Sequence, residues 1–381
     1  MSLHGVRTIA VLELRQRLRT SRWPVVIGIW FLVIGAVAGL TWWAVSSQPG
    51  DPATTLATDR GTTLYDVVLF FVLGLGMLVV PSLTATSING DRERGVLATL
   101  QTTLLTPADI VIGRLVAAWA ISIAFLLAAS PFLVWAWVAG GVEVGRMLLA
   151  VAVLVFVLAV VCALGLMFST LTARTISSAV LTYLTVAALT FGTVIAFLIS
   201  IPILSTQQSV RVKVIPDTWY QEHQPANPDD KQSFLEPTAA DCVYVVREQT
   251  IMHMERTWWL LALNPFVVVA DAAPSRKPVT FLGFEPLQMI SDGARTARMG
   301  MTPESVNECW PELQSAAPLT EAGVQQPDQR QWLERERLNR VHAVWPYGFV
   351  FLGLVGAAST WVAVRRLRTP IRKLPRGTRI A

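Results

Sequence analysis

Charge is what this sequence has least of. Only 15% of its 381 residues are charged against 53% hydrophobic, with a mean hydropathy of +0.49, a balance that excludes an ordinary water-soluble domain of this size. Lysine is almost missing. Lys213, Lys231, Lys277 and Lys373 all lack the preceding glycine of a GxxxxGK[ST] phosphate loop, so any ATP this chain uses is bound by another polypeptide. Histidine is equally sparse, and His4, His223, His253 and His342 form no HExxH pair, which excludes the zinc chemistry of an intramembrane metalloprotease. No GxSxG elbow is present to supply a nucleophilic serine. The three cysteines, Cys162, Cys242 and Cys309, include no CxxC, and neither a metal site nor a bound cofactor is expected in this chain. A net charge of +5 raises the question of nucleic acid, but the arginines crowd at the two ends beside apolar stretches instead of alternating with aromatics.

What the sequence does have is long apolar runs. A helix crossing hydrocarbon needs about 20 mostly apolar residues. Six segments meet or approach that: 25–45, 67–88, 115–138, 147–168, 177–204 and 346–364. The expected fold class is therefore an all-α integral membrane protein with six transmembrane helices, and the first run begins too late and runs too long for a cleavable leader. The fifth run exceeds one perpendicular crossing, so tilt or a break near Gly192 or Pro202 is expected. A charge at mid-bilayer costs about 2.5–3.5 kcal/mol, and the span centres carry none, against a proton- or sodium-coupled carrier. Asp66 and Arg114 fall at span edges and read as solvated helix-end residues.

Arg7, Arg15, Arg17, Arg19 and Arg22 precede the first span, while Arg365, Arg366, Arg368, Arg372, Lys373, Arg376 and Arg379 follow the last. The positive-inside rule then places both ends in the cytoplasm of a bacterial inner membrane, which requires an even number of spans. Trp42, Trp43, Trp345 and Tyr347 fall at the outer helix ends. Residues 1–24 form a cytoplasmic segment in which Leu3, Val6, Ala10, Leu14 and Leu18 recur at helical spacing, the pattern of a helix lying flat on the anionic leaflet.

Residues 205–342 make a polar extracytoplasmic insert before the last span and the basic tail at 365–381. Within it the apolar stretch 258–273 is interrupted by Asn264 and Pro265, and reads as a re-entrant or surface-lying helix. Near its end Glu336 and Arg340 form an i,i+4 pair, and the pattern predicts a helix running on into the sixth span, with Pro346 at the junction. Cys242 and Cys309 share this oxidising compartment and are candidates for a disulfide.

Between spans two and three, the stretch 89–113 combines a charged helix exit (Glu93, Arg94), a glycine that permits a sharp turn (Gly95), and an apolar side made by Val96, Leu97, Leu100, Leu104 and Leu105. Thr106 then caps a new helix with Pro107 at its first position. A short helix of this kind, apolar on one side and too short to be stable alone, is a docking element for a partner protein. At these residues the sequence resembles the type-2 ABC exporter permease family, whose corresponding loop typically reads ERGTLxxLLxTPxxxxxIxxGK. Glu93, Arg94, Gly95, Leu97, Leu100, Thr106, Pro107, Ile110 and Gly113 match it, Arg114 replaces the usual lysine, and Val96 stands where threonine is common. Residues 165–174, ending in Arg174, resemble the family's second cytoplasmic turn, and Leu263-Asn264-Pro265-Phe266 resembles a motif found before its last span.

The resemblance implies an ATPase-coupling set of Glu93, Arg94, Gly95, Leu97, Leu100, Thr106, Pro107 and Arg174. It also implies two copies of a separate ABC ATPase that carries ATP and Mg, a second identical or homologous permease chain, and an outward path for a hydrophobic or amphipathic solute lined by the first, second and fifth spans. The chain itself is then non-catalytic. The alternative is that the same ATPase-coupled frame acts mechanically, or as a signalling scaffold, through the insert.

Overall fold

In hydrocarbon every backbone amide must be paired within its own segment, so apolar runs of this length become helices. A computed structural model describes residues 2–19, 22–47, 57–93, 106–222, 237–274, 284–300, 306–309 and 329–367. In chain order the elements are α1 (Leu3–Leu18), α2 (Arg22–Ser46), α3 (Ala57–Thr84), α4 (Ser87–Glu93), α5 (Pro107–Val138), α6 (Val144–Leu171), α7 (Thr175–Ala187) and, after a π turn at Ala188–Gly192, α8 (Thr193–Ile203). The insert follows with β1 (Thr206–Val214), α9 (Asp217–Glu222), β2 (Val243–Ile251), α10 (Trp258–Ala262), α11 (Pro265–Ala272), α12 (Pro286–Met299), β3 (Val306–Asn307) and α13 (Gln329–Arg340). The last helix is α14 (Trp345–Leu367). Among the described residues six helical stretches are long and apolar enough to cross a membrane, and the chain is an all-α integral membrane protein in its membrane part.

The main core lies between α3, α5 and α6, where Leu64, Val68, Leu69, Leu73, Ile121, Phe125, Leu154 and Leu158 are buried together. α2 and the fifth span pack on the outside of this core and leave wide apolar faces exposed, among them Leu32, Leu40, Ile195 and Leu198. Close approach between helices is bought by glycine at two crossings: a Cβ on Gly165 would lie 2.0 Å from Thr84 Oγ1, and one on Gly348 would lie 2.1 Å from the Ala262 carbonyl oxygen.

The first helix does not lie free on a surface. α1 packs along the start of α5, with Gly5, Ile9 and Ala10 buried, while Leu3 of the expected stripe is 87% exposed. Gly113 is what lets α1 approach, since a Cβ there would meet the Ile9 side chain at 2.8 Å.

The insert adds a small sheet, in the order β2-β1-β3, to the helical frame. β1 pairs antiparallel with β2 from Thr206↔Ile251 to Val214↔Val243, and Val210, Val212 and Val214 face inward in alternation. Cys242, just before β2, is disulfide-bonded to Cys309, just after β3, with 6.0 Å between their Cα atoms. At the base of the sheet Thr206 Oγ1, His253 Nε2, His253 Nδ1 and Glu255 Oε1 form a hydrogen-bonded chain of 2.8 and 2.7 Å. Burial opposes the charge on Glu255, but its own backbone amide and His253 hold the carboxyl below its ordinary range.

The apolar stretch 258–273 forms two short helices, α10 and α11, wedged against spans four, five and six. They break where Asn264 caps α11 and Pro265 occupies its first position. Three expectations require correction here. Asp66 is buried, because its carboxylate accepts the amide hydrogens of Leu287 (2.8 Å) and Gln288 (3.1 Å) in the first turn of α12. Arg114 is buried as well, its guanidinium donating to the Ser87 carbonyl. The helix bearing the Glu336–Arg340 pair does not run on into the sixth span, since residues 341–344 separate α13 from α14. Asp271 causes the break: it accepts the amides of Val344 and Trp345, and Arg298 takes up the carbonyls of His342 and Ala343.

Candidate functional site

At one end of the bundle Leu367, at the end of α14, packs with Ile88, Val111 and Leu166. The predicted coupling loop starts from this end. Pro81 sits in the last turn of α3, which stops at Thr84, and the chain turns at Ala85–Thr86 into α4. A new helix begins with unpaired amides, and here span four supplies the acceptor: the amides of Ile88 and Asn89 donate to Ser169 Oγ at 2.9 and 3.1 Å. Asn89, fully buried, donates through Nδ2 to Thr172 Oγ1 (3.0 Å) and the Arg174 carbonyl (3.4 Å). From the other side Arg114 Nη1 donates to the Ser87 carbonyl at 2.7 Å. The root of α4 is thus tied to spans three and four by buried polar bonds, in surroundings where an unpaired polar group is costly.

The far end of the loop is pinned by local chemistry. Thr106 and Asp109 form a capping box: Asp109 N donates to Thr106 Oγ1, and Thr106 N donates to Asp109 Oδ2 at 3.0 Å, with Pro107 at the first helical position. The same carboxylate accepts the Ser2 amide at 2.9 Å, which joins α1 to the start of span three. α4 and the start of α5, which flank residues 94–105 in sequence, are therefore both anchored.

Of the predicted coupling residues, Thr106 and Pro107 form the second anchor, and Arg174 lies beside the first, its backbone bonded to Asn89 and its side chain exposed. Glu93 closes α4. Arg94, Gly95, Leu97 and Leu100 lie outside the described residues. Sequence reasoning missed Asn89 and Ser169 as the first anchor, while the Thr106 cap with Pro107 and Asp109 in the first turn was legible. Asn89 and Ser169 sit inside the two stretches that carry the resemblance, but nothing in their spacing shows that the Asn89 amide meets a hydroxyl 80 residues away.

At the opposite end, α12 is held by three carboxylates. Asp66 caps its first turn, Asp271 accepts Ser291 Oγ (3.1 Å) and Arg295 Nε (2.6 Å), and Asp292 pairs in two-pronged fashion with Arg335 at 2.6 and 2.7 Å. Thr63 Oγ1 donates to Glu285 at 3.0 Å just before the helix. A cavity of about 160 Å³ opens beside this helix, lined in part by Tyr65, Asp66, Arg146 and Glu285.

The model of the ABC-2 family transporter proteins matches residues 7–240, from the first helix through the fifth span and into the insert. Comparison with curated proteins finds no match. The matched region is more than half of the chain and contains both anchors of the loop. This chain belongs to the ABC-2 family of transporter proteins, as a multi-pass permease of an ABC transporter.

Proposed function

We propose that this chain is the membrane subunit of an ATP-driven exporter, moving a hydrophobic or amphipathic solute outward with ATP hydrolysed by two copies of a separate ATPase, and paired with a second permease chain. In this reading both termini and the loop at 94–105 face the cytoplasm of a bacterial inner membrane and the insert faces outward, as the arginine distribution favours. The observation that carries the reading is the buried polar clamp on α4. Ser169, Asn89 and Arg114 join the loop's root to spans two, three and four, so a push on the loop reaches several spans at once instead of bending a free connector. Glu93, Arg94, Gly95, Leu97 and Leu100 contact the ATPase, and Arg174 adds a charge near the root of α4.

The test is affinity purification of the tagged chain from its native membrane in mild detergent. A P-loop ATPase is expected to co-purify with the wild type and to be lost from Glu93→Ala plus Leu97→Ala. If the wild type brings down no ATPase under conditions that retain other transporter partners, the exporter reading fails. A second reading, in which the ATPase works mechanically on the insert, draws on the insert's disulfide and its buried Arg295–Asp271 pair. ATPase stimulation in proteoliposomes by solute favours transport, and stimulation only by an external protein favours the mechanical role.

A further inference from the structure

Span five is not a plain helix. At Ala188–Gly192 it forms a π turn, where the amide of Thr193 reaches back five residues to the Ala188 carbonyl. A π turn holds one residue more than the α-helical path it replaces and disturbs the regular pairing of amides and carbonyls; in a membrane the disturbed groups must find partners nearby. The partner comes from the insert. Asn264, only 3% exposed, donates through Nδ2 to the Thr190 carbonyl at 2.6 Å and to Thr193 Oγ1 at 3.1 Å, while its Oδ1 accepts the Phe266 amide at 2.8 Å and caps α11. One side chain therefore binds the break in span five and the break between α10 and α11 together.

We propose that Asn264 is a positioning residue that holds this π turn open and so sets the rotation of α8 relative to α7. The remaining contacts across the turn are compatible with such a role. α7 is fixed to span two through Tyr183, whose hydroxyl donates to the Leu78 carbonyl at 2.8 Å, and α8 is tied to the insert through Ser200, which donates to Thr257 Oγ1 at 2.9 Å. If the turn relaxes to α-helix, residues beyond it move one place along the helical path, a rotation of about 100° and a shift of about 1.5 Å. The buried place of Phe197 passes to Ala196, and the exposed face carrying Ile195, Leu198 and Ile199 turns with it. The insert then decides which face of the fifth span is presented. That the rotation serves transport rests on the exporter reading; the rotation itself does not.

The test uses the full-length protein with Cys162→Ala, reconstituted in lipid nanodiscs. Single spin labels are placed along Val180–Leu184 and Val194–Ile199, and oxygen accessibility by EPR gives the helical phase of each half. Asn264→Ser keeps a helix-capping oxygen but lacks the amide donor. It is expected to shift the phase of α8 against α7 by about 100°, the periodic pattern moving by one residue. Deleting Leu189 removes the extra residue of the turn, so the deletion alone is expected to keep the wild-type phase, and Asn264→Ser added to it is expected to change nothing. An unchanged phase in folded Asn264→Ser overturns the proposal. If Asn264→Ser does not fold, recovery of folding and of the wild-type phase in the double variant supports it, and failure of the double variant overturns it. Failure of the Leu189 deletion alone to fold also overturns it. None of these readouts involves ATP or solute, so the exporter reading is tested separately by ATPase co-purification.

Discussion

Asp271 joins three elements through one side chain. Fully buried, it accepts from Ser291, Arg295 and the two amides that open the sixth span. Removing it in Asp271→Ala leaves the Arg295 charge buried without its counter-ion, a loss of about 3–5 kcal/mol when one partner of a buried pair is deleted. We expect a marked fall in the midpoint of thermal unfolding in detergent, and a smaller fall for Asp271→Asn, which keeps the acceptor oxygen. Equal effects of the two substitutions would contradict the counter-ion role. Gly348 makes the complementary point through shape. A Cβ there would lie 2.1 Å from the Ala262 carbonyl oxygen and 2.3 Å from Val268 Cγ2, whereas one on Gly28 would meet nothing within 4 Å. Gly348→Ala is expected to destabilise by about 1–3 kcal/mol or more through overpacking and to broaden the size-exclusion profile, while Gly28→Ala is neutral or slightly stabilising.

At the scale of elements, the sheet shows what the reading of the insert overlooked. Val210, Val212 and Val214 alternate with Arg211 and Lys213, a period of two that marks a half-buried strand, and a second β-rich run follows at Val243–Ile251. The signal was present but lay within a long polar segment whose composition dominated the reading. The disulfide between Cys242 and Cys309 closes a separation of 67 residues around that sheet. Cys242→Ser is expected to cost the insert about 2–4 kcal/mol. Limited proteolysis should then cut the insert faster while leaving the membrane helices intact, and mass analysis of the wild type with and without reductant should differ by two hydrogens. With Cys162 always free, the bonded wild type carries one free thiol, and three free thiols under oxidising conditions would show that the bond does not form. The break between α13 and α14 was hidden for a different reason. The i,i+4 pattern suggests a continuous helix with no more than a kink at Pro346, and Asp271, some seventy residues earlier, accepts the amides at the break.

For the whole molecule, the proposed orientation makes a direct prediction. Cysteines introduced at Ser47 and Ser205 are expected to react with an impermeant maleimide in right-side-out vesicles, and cysteines at Ser2 and Arg174 only after the membrane is opened. The reverse pattern would invert the molecule and move the coupling loop to the wrong side for an ATPase. The six crossings were determined by the sequence alone, because partition into hydrocarbon adds up residue by residue along a contiguous run and needs no knowledge of neighbours. The Thr106–Asp109 box and the Asn264-Pro265 helix start were legible for the same reason, their partners lying within three residues. The tertiary structure decided the rest: Asp66 at the start of α12, Ser169 beneath α4, and Asn264 in the π turn of span five. Each of these polar groups reads as solvent-facing or neutral in a local window, and becomes a buried anchor only because packing brings it to a backbone group of a distant element.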